Sequence, residues 1–410
     1  MKYLCIFVLC IWSDIVCGQY SGTASVTQGR ADKILTGLYN CAGGRPTNVG
    51  QITASDGSKW IVPASVNFRD SIFPFASDLY NSCTGAGYKS SATALSKLTG
   101  IDVIDVDPDG ELITGFIFTD NYFELYINGK PVGKDKVPFT PFNSSIVRFR
   151  VHQPFTVAML LVDWEENPGL GSEVNGGSTY HPGDGGMVAV FKNTSGNIIG
   201  ITDNTWKAQT FYTSPVKDLS CPQETENERL SGSCNTSDSN NGAGYYGLHW
   251  QKPDLWFDKN FDDSGWPNAY EYINEVVGVN NKPSYTNFLD IFDNTTQNAR
   301  FIWSSNIILD NEVIVRKTIG TPSATSEYSV EKHLILAPNP GSEFLSVTMN
   351  DAGQINQVME VTIYNPEGVC MHSDIITNES IDTSLLPPGI YFIQIRIKQT
   401  IFYKKWIKEY

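Results

Sequence analysis

Basic residues are scarce in this chain of 410 residues: 29 Lys and Arg stand against 44 Asp and Glu, a formal net charge of −15. That balance excludes a nucleic-acid footprint, which needs a basic stripe to neutralise phosphates. Histidine is almost missing, five in all, and no His-x-x-x-His or His-Glu-x-x-His spacing occurs, so a zinc hydrolase is not expected. There is no Gly-x-Ser-x-Gly elbow and no Gly-rich phosphate loop. Long apolar runs are lacking as well. Leu4 to Trp12 is an unbroken run of nine, too short to span a bilayer, and no other segment is apolar and long enough to cross one.

What is present begins with that short run. Lys2 precedes it, and Val16-Cys17-Gly18 places small residues ahead of Gln19, the pattern of a secretory signal peptide over residues 1–18. Cys5, Cys10 and Cys17 leave with the signal, so five of the eight cysteines enter an oxidising compartment. Of the three pairings open to Cys41, Cys83, Cys221 and Cys234, proximity in sequence favours Cys41 with Cys83 and Cys221 with Cys234. Cys370 is left over, and paired cysteines offer no thiol nucleophile.

Apolar residues at 41%, aromatics at 12%, 35 Gly and 21 Pro describe a globular chain of many short strands and turns. The clearest unit is Thr119 to Gly133. Phe123, Leu125 and Ile127 alternate with Tyr122, Glu124 and Tyr126, and Asn128-Gly129 supplies the positive φ angles of a tight turn. A β-hairpin with an aromatic outer face is therefore expected. From Ile101 onward, runs such as ELITGFIF, SIVRFRV, FTVAMLLVDW and GMVAVFKN are each bounded by Gly, Pro, Asn or Asp. This is the spacing of an all-β sandwich or jelly roll over residues 101–319. Residues 19–100 are either a separate block or the first part of that sandwich. Residues 320–332 read as a linker, and residues 333–410 as a second, smaller β-sandwich.

The tail carries Leu336-Ala337-Pro338-Asn339-Pro340, then Val361-Thr362-Ile363-Tyr364-Asn365 with Gly368, then Leu386-Pro387-Pro388-Gly389-Ile390-Tyr391-Phe392 and Lys404-Lys405. In this order they resemble the C-terminal sorting domain, an Ig-like sandwich, of the type IX secretion system of Bacteroidetes. The resemblance implies recognition by the export machinery, removal of the tail, and a mature protein released or attached at the outer-membrane surface. Ala337 and Cys370 depart from the residues usual at their places. Gly110 to Ile319 resembles a galactose-binding-like jelly roll, on Glu124-Leu125-Tyr126-Ile127-Asn128-Gly129-Lys130, Phe261-Asp262-Asp263-Ser264-Gly265-Trp266-Pro267, and Ala299-Arg300-Phe301-Ile302-Trp303-Ser304 with Val315-Arg316-Lys317. That likeness implies a fold and a tendency toward sugar binding, and no activity.

Candidate sites each stand beside a plainer reading. Asp105-Val106-Asp107-Pro108-Asp109-Gly110 has the acid spacing of half a calcium loop, but Phe116 stands where the twelfth-position Glu of a complete loop belongs. An exposed turn is the plainer reading, and Ca²⁺ is the one cofactor suggested. Asp163, Trp164, Glu165 and Glu166 through Glu173 could contact a ligand or work as a carboxylate pair in a glycosidase; a solvated loop is the bland alternative. His181-Pro182-Gly183-Asp184 is a turn with a ligand pair. Trp164, Trp206, Asp262, Asp263 and Trp266 combine rings and carboxylates as sugar binding requires, although such rings more often fill cores. The sequence therefore points to an exported, non-catalytic glycan-binding protein, with a carbohydrate-active hydrolase and a purely structural surface protein as rivals.

Overall fold

The Asn128-Gly129 turn closes its hairpin as the dipeptide dictates. Ile127 pairs with Lys130, and the two turn residues take φ of 50° and 86°. Asn128 also accepts the Thr156 N–H at 2.8 Å, tying the turn to the next strand pair. The computed structural model describes residues 20–174, 179–237, 242–293, 298–320, 334–349, 359–366, 368–376, 380–397 and 400–410. The expected signal peptide, and the linker apart from Gly320, lie outside the described residues.

The chain divides into two units, residues 1–320 and 321–410. Among the described residues of the first, seven strands form one sheet and nine another. In the seven-stranded sheet Phe155–Val162 is central, antiparallel to Tyr122–Ile127 on one side and to Asp310–Ile319 on the other. In the nine-stranded sheet Glu111–Asp120 lies between Ser144–Val151 and Gly186–Lys192, antiparallel to both. Phe123, Leu125, Ile127, Val157, Met159 and Leu161 of the first sheet share one core with Ile113, Ile117, Phe149, Met187 and Val190 of the second. Residues 20–100 supply strands to both sheets: Ser25–Gln28 at the edge of the first, Ser77–Asn81 and Ala86–Gly87 at the edge of the second. Cys41 bonds to Cys83 and Cys221 to Cys234, while Cys370 is free and exposed.

The hairpin's other face differs from the expectation. Tyr122, Glu124 and Tyr126 are not an outer aromatic surface but are 0%, 1% and 7% exposed. A second apolar layer covers them. Phe68, Phe73, Trp164 and Trp256 pack there, Tyr126 stacking on Phe257 with ring centroids 4.8 Å apart. Strand alternation predicted two faces but could not say that the second is roofed by loops from residues 64–73 and 250–266.

In the second unit, Leu334–Ala337, Phe344–Met349 and Ser380–Asp382 form one sheet, and Cys370–Ile376, Met359–Tyr364, Gly389–Ile397 and Thr400–Lys408 the other. Leu345, Val347, Val361, Ile363, Ile393, Ile395 and Trp406 fill its core. Its motif residues are bonded to each other. Trp406 donates its indole N–H to the Pro338 carbonyl at 2.8 Å, Asn339 accepts the Ile407 N–H at 3.0 Å, and the Tyr391 hydroxyl donates to the Pro387 carbonyl at 2.7 Å.

Candidate functional site

At one end of the sandwich the chain crosses between sheets. Asp120 closes a strand of the nine-stranded sheet opposite Gly186, and Asn121 donates its N–H to the Val162 carbonyl at 3.1 Å beside the seven-stranded sheet. The strand ending at Val162 delivers Asp163, and the segment before Gly186 delivers Asp184. Glu173 is held in the intervening loop by a two-way backbone bridge to His181, with N···O distances of 2.6 and 3.1 Å. Asp120, Asn121, Glu173 and Asp184 wall a cavity of about 460 Å³, completed by Arg45, Tyr80, Ser82, Phe142, Lys282 and Ser284, while Asp163 does not line it. The rings of Tyr80 and Phe142 are half-buried, and Lys282 holds its ammonium 4.8 Å from the Phe142 centroid.

Four carboxyls gather here. Asp120, Asp163 and Glu173 are 2%, 3% and 7% exposed. A methyl group on Gly183 would lie 2.7 Å from Glu173 Oε1 and 3.0 and 3.1 Å from the two Asp163 oxygens, so these carboxyls converge over that glycine. Arg45 donates to Glu173. Asp163 Oδ1 is buried with no hydrogen-bond partner among the described residues. Burial, then the neighbouring acids, pushes Asp120 and Asp163 well above the ordinary carboxylate range. Burial raises Glu173 against the opposing pull of Arg45. Asp184 is pushed up to about 6 by burial and by the charge of Glu173. Buried acids crowded at a cavity are a functional-site signature that structural networks can also produce.

The structure distributes the sequence candidates unevenly. Asp163 belongs to the cluster. Trp164 and Trp206, 1% and 0% exposed, do not offer ring faces to a ligand: their indoles donate inward to the Asn48 and Ile201 carbonyls at 3.2 and 2.8 Å. Glu165 is occupied as well, accepting the Gly169 N–H at 2.9 Å and the Gly171 N–H. Asp262 caps the Ser264 N–H at 3.0 Å. Asp263 pairs with the buried Arg316 at 2.7 Å, and Trp266 packs on Phe261 and Phe211. Arg316 also bonds the carbonyls of Trp256, Asp258 and Phe261, so the Phe261–Pro267 and Val315–Lys317 pieces are two halves of one structural clasp.

The three acids of the Asp105 turn are taken up by Arg150 and His152. Asp105 faces Arg150 at 3.6 Å, Asp107 accepts the His152 N–H at 2.9 Å, and Asp109 meets the His152 ring at 3.0 Å. Among the described residues no three His, Cys, Asp or Glu side chains are gathered so as to hold a metal ion.

Asp120, Asp184, Arg45, Tyr80, Phe142 and Lys282 were not among the sugar-binding candidates. The one local signal was the His181-Pro182-Gly183-Asp184 turn; the remaining residues come together only in the tertiary fold, Asp120 and Tyr80 from strands and Arg45, Phe142 and Lys282 from the segments between elements. A larger and more open cavity, about 870 Å³, runs past Tyr20, Thr27, Thr53, Lys217 and Tyr246. Its single acid, Asp218, is held by the Ser220 hydroxyl at 2.7 Å, so the acid-lined cavity is the better candidate.

Residues 336–409 match the secretion system C-terminal sorting domain. The chain thus carries a type IX sorting tail and is a secreted or cell-surface protein. No helix among the described residues is long and apolar enough to cross a membrane. No curated protein matches the chain. Similar solved structures include a β-glucuronidase of Faecalibacterium prausnitzii, at 10% identity and a TM-score of 0.16, covering 94% of this chain and 45% of that one. A β-D-glucuronidase of Dictyoglomus thermophilum gives 12%, 0.15, 94% and 44%. Dimeric latent PorU from Porphyromonas gingivalis gives 11%, 0.14, 94% and 34%. The chain spans less than half the length of each, and TM-scores this low carry no argument about fold or activity.

Proposed function

We propose that the exported protein binds a glycan, and that it does so in the Asp120–Glu173–Asp184 cavity rather than on the tryptophans that sequence favoured. The observation that carries this reading is the lining: half-buried Tyr80 and Phe142 stand with three carboxyls, two cations and the Ser82 and Ser284 hydroxyls around about 460 Å³. A sugar needs both kinds of surface, apolar ring area for its C–H face and fixed polar groups for its hydroxyls. The volume is that of an ordinary small-ligand site. A glycan array probed with the intact chain tests it. Binding that Asp184→Asn and Phe142→Ala each abolish supports the reading, and an array without any hit ends it.

A hydrolytic reading draws on one observation, the carboxyl of Asp184 pushed up to about 6 in the same cavity as Glu173. A carboxyl tuned toward neutrality beside a second one is the equipment of general acid catalysis. Release of reducing sugar that disappears in Asp184→Asn, with the array signal retained, would favour it over simple binding.

A further inference from the structure

The roof over the hairpin holds a buried lysine that the acid-lined cavity does not use. Lys134 ends the hairpin's return strand, Lys130–Lys134, and is 0% exposed. A lysine is almost never fully buried unless it is paired with a carboxylate. This one forms no ion pair among the described residues: it donates to the Asn67 and Asp70 carbonyls at 2.8 and 2.6 Å, with the Phe75 and Phe73 ring centroids 4.5 and 5.6 Å away. Opposite it in strand register stands Glu124, 1% exposed. Glu124 holds the same asparagine from the other side, accepting the Asn67 backbone N–H and, at 2.8 Å, the Asn67 side-chain amide. One residue is thus gripped between a buried amine and a buried carboxyl. Burial draws the Lys134 ammonium below its usual range and the Glu124 carboxyl above its own. Both lean toward their neutral forms, in which a lysine is a nucleophile and a carboxyl an acid.

We propose that the Lys134 amine and the Asn67 side chain join in an amide, an internal cross-link that forms without cofactor, with Glu124 carrying the proton. The Nζ lone pair of neutral Lys134 adds to Asn67 Cγ. The Glu124 carboxyl gives its proton to Nδ2 and takes one from Nζ, the Cγ–Nδ2 bond breaks, and ammonia leaves. One amide is exchanged for another, so no oxidant or reductant enters the balance. Asn67 is itself exposed, which opens a way out for the ammonia. The new bond fastens the roof loop to the hairpin beneath it, across a sequence separation of 67.

The test is mass spectrometry of tryptic peptides from the full chain, reduced and denatured. In the wild-type digest residues 60–69, which lie between Lys59 and Arg69 and contain Asn67, should be recovered joined through Lys134. The joined peptide should be lighter than the sum of its two parts by one ammonia, with no cleavage after Lys134. Lys134→Met and Glu124→Gln should each release residues 60–69 as a separate peptide of full mass. A joined peptide that persists in Glu124→Gln overturns the role given to that carboxyl. Residues 60–69 recovered alone from the wild-type chain, with cleavage after Lys134, overturn the proposal and leave Lys134 as a buried cation that anchors the loop through two carbonyls. The wild-type digest decides the matter whether or not either variant folds.

Discussion

The clasp between Arg316 and Asp263 offers the sharpest energetic test. The Arg316 side chain is 2% exposed and Asp263 30%, and the guanidinium lies 5.1 Å from the Phe261 centroid while bonding three backbone carbonyls. Asp263→Ala removes the counter-charge but leaves the guanidinium buried among carbonyls and rings. Breaking a fully buried pair from one side costs about 3–5 kcal/mol. Since Asp263 keeps some solvent screening, the expected cost is at the low end, about 2–3 kcal/mol. Arg316→Met deletes the buried charge along with its partner bonds, and Asp263→Ala combined with Arg316→Met should cost clearly less than the sum of the two single changes. Urea denaturation followed by tryptophan fluorescence measures all four proteins, since Trp256 and Trp266 line the clasp. A cost below about 1 kcal/mol for Asp263→Ala, as for a surface ion pair, or strict additivity in the cycle, would refute the reasoning.

Other outcomes follow from the same structure. Burial pushes Glu165 from 4.5 up to about 8 and Asp135 from 3.8 up to about 7, so folding takes up protons. The stability tied to these two is complete below their unfolded values and is lost as pH rises through about 7 to 8. Melting temperature should therefore fall from pH 5 to pH 8.5, and less steeply in Glu165→Gln; a rise over that range contradicts the assignment. Replacing Cys221 and Cys234 by alanine reopens a loop with a sequence separation of 13 and should cost about 3 kcal/mol; the Cys41–Cys83 pair, separated by 42, should cost about 4 kcal/mol by the same loop-closure argument. A reversed order in denaturant midpoints would show that native-state strain outweighs loop entropy. Trp206→Ala should lose about 3–5 kcal/mol as a core deletion without any change of ligand preference. Deleting residues 321–410 should leave the first unit folded but retained in the cell, measured by fractionation of cultures; export of the truncated chain would contradict the role of the sorting tail.

The sequence by itself determined the elements and the address. Asn128-Gly129 closes its hairpin because positive φ is a property of those two residues, whatever surrounds them. Phe155–Val162 reads as a central strand because each of its eight residues is apolar or β-branched, and it is buried throughout. The sorting tail is legible because its motifs follow in quick succession along the chain, and the fold then ties them down, Trp406 donating to the Pro338 carbonyl, Ile407 to Asn339 and Tyr391 to the Pro387 carbonyl. Only the tertiary structure decided which rings are covered and which acids meet. Trp164 and Glu165 looked like a ligand pair in sequence, yet one fills the roof over Tyr122 and the other binds Gly169 and Gly171. Conversely Asp120, Glu173 and Asp184 are separated by 53 and 11 residues along the chain and share a cavity because Gly186 pairs with Asp120 across the sheet. Local chemistry sets the period and the turns, whereas a site built at strand ends depends on which distant strands become neighbours, and that is settled by burying the core they share.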